Sequence, residues 1–127
     1  MKCLDLKCFI PSKNYLRSCE FYIDLGFIKN WDAGSIAEFQ IGEFRFLLQD
    51  FYVKEHAENF VVHLLVDNAE IWFEKFQNCV NFSKYSEVKL YAPEIQPWGL
   101  ITAYLTDPSG VLWHIVEKPE DTKLPKT

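Results

Sequence analysis

The sequence predicts an α+β fold in which a βαβββ module occurs twice and the paired modules form a sheet-lined cleft. The order of strand-like and helix-like segments in the first half of the chain recurs in the second half. Turns that contain glycine or proline separate many of these segments. At 127 residues, the chain is long enough for one domain with a sizeable core. We therefore expect a single domain over 1–127, with module one at about 1–52, a linker at about 53–59, module two at about 60–117 and a loose tail at 118–127.

The first module is predicted to begin with a strand over 4–10 that ends at Pro11. Ser12 is the predicted N-cap of the following helix, and Gly26 suits the left-handed residue that ends it. Three short strands are predicted to follow at 27–31, 36–41 and 43–49. The residues at helical spacing, which are predicted to form one face of the helix, are Tyr15, Leu16, Cys19, Tyr22 and Ile23.

The second module repeats this order, beginning with a nearly continuous apolar strand over 60–66. Asp67 is predicted to cap the next helix, with Glu70 reaching back to it as in a capping box. Three strands are predicted at 88–91, 100–106 and 111–117, and the last two form a hairpin through the Asp-Pro-Ser-Gly turn at 107–110. The predicted face of this helix contains Ala69, Trp72, Phe73 and Phe76.

Alternation along the predicted strands separates residues that pack under the helices from residues that face the cleft. His114 faces the cleft, where it could be a polar group of a pocket or a structural hydrogen-bonding side chain. On the last strand, the residues predicted to pack under the helices are Val111, Trp113 and Ile115. The cleft-facing residues of the fourth, fifth and last strands are predicted to be Arg45, Leu47 and Gln49, then Val61, His63 and Leu65, then Leu112, His114 and Val116.

The segment 93–99 holds Trp98 at a proline-tryptophan-glycine corner just before the predicted hairpin. An indole at such a corner can form a flat wall at the mouth of a cleft, or it can simply anchor the corner. Trp31, at a strand end before a turn, could form a second wall or plug the edge of the core. We assign Trp72 and Trp113 to the core. This arrangement favours capture of a small molecule over catalysis.

Composition and charge argue against several other classes of function. The net charge of −5 lacks the basic excess typical of nucleic-acid-binding domains. We expect no signal peptide and no membrane-spanning segment, because no apolar run is long enough. The four cysteines form no C-x-x-C pair and no zinc-finger spacing, which favours a reduced, cytoplasmic protein. No Ser-His-acid pattern or glycine-rich phosphate loop indicates nucleophilic or phosphate chemistry.

Several short segments of the sequence together resemble the vicinal oxygen chelate superfamily, which includes glyoxalase I, extradiol dioxygenases and bleomycin resistance proteins. In the first module these segments are residues 10–15, Phe-Tyr at 21–22 and Leu-Gly-Phe at 25–27. In the second they are the segment 91–99 around Trp98 and the turn at 107–110 followed by His114. The resemblance covers about 9–117 and is strongest to the bleomycin-binding resistance proteins, because their ligand loop is similar to the Pro-Trp-Gly segment.

The resemblance also implies where a catalytic metal would be bound. Enzymes of the superfamily place metal ligands on strands one, four, five and eight, and the matching positions here fall near Asp5, Leu47, Val61 and His114. Two of these residues are aliphatic, so a set of about three protein ligands is incomplete. His63, on the same face as Val61, leaves a displaced site open. We expect neither a metal nor another cofactor.

Bleomycin-binding relatives stack their drug between a loop tryptophan and an aromatic residue of the other subunit. Trp98 matches the first, and Trp31 falls near the second. Glu38 and Glu94 are candidates for attracting a cationic ligand. The resemblance further implies a homodimer, in which the first strand is often exchanged between subunits. The expected ligand-binding residues are Trp31, Ile36, Glu38, Leu47, Gln49, His63, Trp98, Gly99 and His114.

The function implied is sequestration of a planar, cationic drug or metabolite without turnover. Two alternatives stay open at this point. One is a metal-dependent lyase, transferase or dioxygenase of the same superfamily. The other is a member whose ligand is unrelated to any antibiotic.

Overall fold

The computed structural model describes residues 1–119, which form two four-stranded sheets and three helices. The predicted tail therefore lies outside the described residues beyond position 119. The elements in chain order are β1 (Phe9–Pro11), α1 (Tyr15–Asp24), β2 (Ile28–Asp32), β3 (Ile36–Ile41), β4 (Phe44–Gln49), α2 (Lys54–Glu58), β5 (Val61–Val66), α3 (Ala69–Cys79), β6 (Lys89–Ile95), β7 (Ile101–Thr106) and β8 (Leu112–Glu117).

The two sheets have the same topology, which confirms the predicted repeat of a βαβββ module. The first sheet has the strand order β1-β4-β3-β2, and the second has the order β5-β8-β7-β6. In each, the first strand of the module pairs parallel to the last, and the remaining pairs are antiparallel. The helix of each module connects its first strand to the three that follow, as the α+β prediction requires.

A shared aromatic core joins the two modules. Trp113 of β8 is 2% exposed and lies against side chains of the first module, with ring centroids 5.8 Å from Tyr22, 5.6 Å from Phe27 and 5.7 Å from Phe46. Its indole nitrogen also donates to the Tyr22 hydroxyl at 3.0 Å. The predicted assignment of Trp113 to the core is confirmed. One face of each sheet, which we call its inner face, therefore belongs to the same core.

The opposite face of each sheet, its outer face, points away from that core. Successive side chains of a strand alternate between its two faces. Phe46 and Leu48 of β4 are buried on the inner face, so Arg45, Leu47 and Gln49 lie on the outer face. By the same alternation, Trp113 is on the inner face of the second sheet, and its neighbour His114 is on the outer face. The predicted division of these strands into two faces agrees with the structure.

The first strand is much shorter than predicted. The strand expected at 4–10 is limited to Phe9–Pro11, which pairs with Leu47 to Gln49 of β4. The preceding residues 1–8, which we call the N-terminal arm, have no regular secondary structure. Alternating charged and apolar residues suggest a half-buried strand, but the arm is almost entirely exposed and lacks the buried face that such a strand requires.

Helix α1 begins two residues later than predicted and turns a different face to the core. Its N-cap is Asn14, whose side chain accepts a hydrogen bond from the Arg17 amide, so the assignment to Ser12 was wrong. Ser12 is buried and donates instead to the Gln49 carbonyl at 2.7 Å. Leu16 and Ile23 are exposed, and the buried side of the helix is formed by Tyr15, Ser18, Cys19, Phe21 and Tyr22.

The second module differs from the prediction in similar local details. Asn68, and not Asp67, caps α3 by accepting from the Ile71 amide at 3.0 Å. Asp67 instead accepts from the indole nitrogen of Trp72, which is only half-buried. The predicted linker at 53–59 contains the short helix α2, anchored by the buried Ala57. These positions depend on tertiary contacts, because neighbouring Asp, Asn and Ser residues are equally good caps by propensity.

The turn between β7 and β8 is held by a buried carboxylate. Asp107 is 1% exposed and accepts from the Tyr22 hydroxyl at 2.7 Å and from the amides of Ser109 and Val111 at 2.8 and 2.9 Å. Gly110 completes the turn at a φ of 87°, a conformation that favours glycine. The predicted Asp-Pro-Ser-Gly turn is therefore also a contact between the modules.

Ionisation of Asp107 is expected to lower the free energy of unfolding as the pH of the solution rises. Burial raises the pKa of this carboxyl to about 6, from 3.8 in an unfolded chain. The folded state therefore favours the protonated form, and the resulting stabilisation is present below pH 3.8 and lost as the pH rises through about 6. Denaturant unfolding measures this across the same pH window. The free energy of unfolding of the wild type minus that of Asp107→Asn should decrease as the pH rises. An increasing difference would mean that the hydrogen bonds outweigh burial.

Candidate functional site

The outer face of the first sheet brings together all five of its predicted site residues. Glu38 is paired with Leu47 on one side and with Trp31 on the other. The other pair on this face is formed by Ile36 and Gln49. Trp31 is 44% exposed, so part of a large aromatic side chain is accessible to a ligand. We call this set, Trp31, Ile36, Glu38, Leu47 and Gln49, the first-sheet face.

Glu38 is the buried charge of the first-sheet face. Its side chain is only 8% exposed, and Lys7 of the N-terminal arm contacts it with an ammonium-to-carboxylate distance of 2.5 Å. The Asn30 amide donates to the other oxygen at 2.8 Å. These two partners hold the pKa of Glu38 below its usual value, the Lys7 bond being the stronger effect. Glu38 is therefore an ionised carboxylate at neutral pH.

The outer face of the second sheet carries a row of four rings. His63 pairs with His114, His114 with Tyr104, and Tyr104 with Tyr91, so one residue from each strand contributes. His114 and Tyr104 meet edge to face, with ring centroids 4.9 Å apart. The tyrosines were missed as site residues, although alternation along the predicted strand at 100–106 would have placed Tyr104 on the cleft side. We call these four residues the aromatic row.

His114 and Tyr104, in the middle of the aromatic row, are half-buried, whereas His63 and Tyr91 at its ends are exposed. Burial lowers the pKa of His114, and the neighbouring His63 lowers it further because two adjacent imidazolium charges repel. His114 therefore favours the neutral imidazole at neutral pH. A neutral imidazole offers one hydrogen-bond donor and one acceptor. The row can thus stack on a planar ligand and also hydrogen-bond to its edge.

Trp98 lies in the loop between β6 and β7, at one end of the second sheet. The loop closes with a hydrogen bond from the Gly99 amide to the Gln96 carbonyl at 2.8 Å, and Gly99 has a φ of 92°. Trp98 is 57% exposed, so it is not a buried corner anchor. On the outer face of the sheet beside this loop, Thr102 and Val116 are buried. The largely exposed indole therefore belongs to a loop at the end of this sheet.

The two outer faces are not brought together in one chain. Both sheets turn their inner faces to the shared core around Trp113, so the first-sheet face and the aromatic row point in different directions. The expected ligand-binding residues therefore form two half-sites, one on each sheet. A cleft that includes both needs a second chain or a large rearrangement.

The register of β5 and β8 changes the predicted metal positions. His114 pairs with His63, and Val61 pairs with Leu112, so the residue beside His114 on the fifth strand is a histidine. On the first sheet the corresponding pair is Phe9 and Leu47, which cannot bind a metal. Within residues 1–119, no group of three or more His, Cys, Asp or Glu side chains could hold a metal ion. The donor set of one chain does not fit the metal site that the resemblance implies.

A groove of about 480 Å³ opens where the edge strand β5 approaches β4 and the N-terminal arm. Its lining is mostly apolar, and Phe44 on its rim is 76% exposed. Val61 and Leu65 of β5, which also line it, are about half exposed. His63 of the aromatic row and Arg45 of the first sheet also line the groove, but Trp31 and Trp98 do not. None of the helices in the described part of the chain is long and apolar enough to cross a membrane.

Comparison with protein families decides the relationship suggested by the fold. The model of the Glyoxalase/Bleomycin resistance protein/Dioxygenase superfamily matches residues 6–115. The chain belongs to this superfamily. No curated protein sequence is similar enough to count as a match. The match confirms the membership of this superfamily that the segments 10–15, 91–99 and 107–110 predicted.

Solved structures of bleomycin-binding proteins share the fold of this superfamily member. A bleomycin-binding protein in complex with bleomycin has a TM-score of 0.77 and 21% identity, over 91% of this chain and 98% of its own. The protein from bleomycin-producing Streptomyces verticillus, in complex with copper(II)-bleomycin, has a TM-score of 0.77 and 19% identity, over 94% and 99%. The resistance determinant encoded on transposon Tn5 has a TM-score of 0.73 and 21% identity, over 90% and 98%. At these identities the likeness concerns the fold.

Proposed function

We propose that this protein sequesters a planar, cationic small molecule without turnover, as a cytoplasmic homodimer. The first-sheet face of one subunit meets the aromatic row of its partner, and the ligand lies between them. The observation that carries this proposal is the separation of the two half-sites. Each sheet carries an exposed tryptophan, Trp31 or the loop residue Trp98. The shared core between the sheets favours a cleft in which these two come from different chains.

The chemistry of the half-sites favours a flat ligand with a positive charge. Opposed aromatic faces provide a large contact area with little loss of side-chain entropy. Trp31 lies beside the ionised Glu38, so a ring stacked on the indole would have its charge near a carboxylate. His114 and Tyr104 supply hydrogen-bonding groups on the opposite wall. Bleomycin, which relatives of the same fold bind, combines a planar aromatic part with positive charge.

The groove beside β5 supports the homodimer. Exposed apolar surface of this kind, next to an edge strand and a largely exposed arm, is typical of surfaces that associate. Strand edges with unpaired backbone groups readily pair with a second chain.

Titration of the purified protein with metal-free bleomycin in a calorimeter is the experiment that tests the proposed function. We expect saturation near one drug per chain, which corresponds to two clefts per dimer. A flat titration would reject bleomycin as the ligand. The natural control is heat-unfolded protein, which should give no binding heat.

The adjacent pair His63 and His114 favours a second candidate, a metal-dependent lyase, transferase or dioxygenase of the superfamily. Two imidazoles on neighbouring parallel strands can contribute two metal ligands. A third would have to come from a group outside this pair, such as Glu38 of the partner subunit. Metal analysis of the same preparation separates the two candidates, because one metal ion bound per chain would favour the enzyme. A member of the superfamily with an unrelated ligand would bind neither bleomycin nor metal.

A further inference from the structure

Lys7 forms an ion pair with Glu38, the buried carboxylate of the first-sheet face. Its ammonium group lies 2.5 Å from Glu38 and 3.1 Å from Asp5, which in turn lies 3.2 Å from Arg45. Glu38 belongs to the central part of the sheet, whereas Lys7 belongs to the N-terminal arm, which has no regular secondary structure. The carboxylate is therefore neutralised by a group that is not part of the sheet.

The N-terminal arm is held mainly by charges. Leu4 and Leu6 are 90% and 86% exposed, so the apolar residues of the arm contribute little burial. The backbone hydrogen bond between the arm and the sheet lies at the last residue of the arm, where the Leu47 amide donates to the Cys8 carbonyl at 3.0 Å. Ion pairs between partly exposed groups stabilise weakly and are screened by salt. Glu38 is the exception because it is only 8% exposed, so the arm leaves the sheet at low cost only when another cation takes the place of Lys7.

We propose that, in the free protein, the Lys7 ammonium group occupies the position beside Glu38 where the cationic group of the ligand binds. Ligand binding then displaces the N-terminal arm from Glu38. This inference rests on the proposed function and specifies its regulation and its ligand class. The ligand is a planar aromatic compound that carries an ammonium or guanidinium group. Trp31, paired with Glu38, stacks on the ring while the carboxylate holds the charge.

Exchange of one cation for another makes this displacement selective. A cationic ligand replaces Lys7 and leaves Glu38 neutralised. A neutral ligand that displaces Lys7 leaves a nearly buried carboxylate without the one cation that contacts it, with Arg45 acting only from a distance, which is unfavourable. A neutral ligand that does not displace it finds Glu38 still paired with Lys7 and gains no charge contact there. The arm therefore discriminates against neutral planar compounds that would otherwise stack on Trp31 equally well.

Two dyes of the same ring size test the inference: 9-aminoacridine, which is a cation, and acridine, which is neutral in slightly alkaline buffer. The variants are Lys7→Met and, as a matched control on the same arm, Lys2→Met. Removing a competing group that occupies the site about nine-tenths of the time should strengthen binding about tenfold. We expect Lys7→Met to bind 9-aminoacridine about tenfold more tightly than the wild type, with Lys2→Met unchanged and Glu38→Gln at least about tenfold weaker than Lys7→Met.

A measurement without any ligand makes the outcomes distinguishable. Heteronuclear ¹H–¹⁵N NOE values of the arm amides should fall in Lys7→Met and at high salt, but not in Lys2→Met. Ordered arm amides in Lys7→Met, or equal binding of 9-aminoacridine by Lys7→Met and the wild type, would overturn the inference while leaving the proposed function intact. Equal affinity for both dyes would also overturn it. Failure of every variant to bind either dye would reject this inference together with a planar ligand.

Discussion

Replacing Trp113 with alanine is expected to lower the free energy of unfolding by about 4 kcal/mol, because truncating a large aromatic core residue leaves a cavity. The indole is 2% exposed and contacts rings of the other module, including Tyr22 and Phe46. The substitution also removes the donor to the Tyr22 hydroxyl. Denaturant unfolding followed by circular dichroism gives the free energy directly.

The neighbouring residue His114 provides the matched control for this prediction. Because it lies on the outer face of the same strand, His114→Ala should change the free energy of unfolding by less than about 1 kcal/mol. The difference tests the arrangement on which the half-sites depend. Equal losses from Trp113→Ala and His114→Ala would mean that β8 has no distinct inner and outer face, and the two half-sites would then lose their basis.

Removal of either exposed tryptophan is expected to weaken ligand binding by about 1.5 kcal/mol or more, which is more than tenfold in the dissociation constant. Trp98→Ala removes one wall of the proposed cleft, and Trp31→Ala removes the other. Both side chains are about half exposed, so neither substitution should destabilise the fold appreciably. Calorimetric titration with metal-free bleomycin measures the loss.

Trp72 is the control for these two substitutions. It lies on α3, which packs against the inner face of the second sheet, and it is remote from both outer faces by the alternation of the strands. Trp72→Ala should therefore leave the affinity unchanged. A loss of affinity as large as that of Trp98→Ala would show that the substitutions act through the fold, and an unchanged affinity in Trp98→Ala would remove Trp98 from the site.

Local patterns in the sequence were sufficient for much of the fold. Alternation assigned Trp113 and His114 to opposite faces, and the turn residues located the hairpin at 107–110. Both properties depend on a few neighbouring residues, because strand periodicity and turn conformation are set by local sterics. The repeated order of elements then identified the module. These features needed no information about packing between modules.

The composition of the site needed information that a local pattern does not contain. His63 and Val61 lie on the same face of β5, so alternation could not decide which of them neighbours His114, and only the parallel register did. The role of Lys7 depends on an arm that the sequence predicted as strand. The opposite orientation of the two outer faces follows from the shared aromatic core. That packing involves residues such as Phe46 and Trp113 that are far apart in the chain.

Mixed dimers of the two tryptophan variants test the proposed two-chain cleft most directly. Trp31→Ala and Trp98→Ala would be co-expressed with different affinity tags, and the mixed dimer would be titrated with metal-free bleomycin. Each parent variant has a defect in every cleft, but a mixed dimer with two-chain clefts has one cleft that retains both tryptophans. We predict one site of wild-type affinity per mixed dimer and none in either parent. A mixed dimer without such a site would contradict the account, because the ligand would then be bound within a single chain.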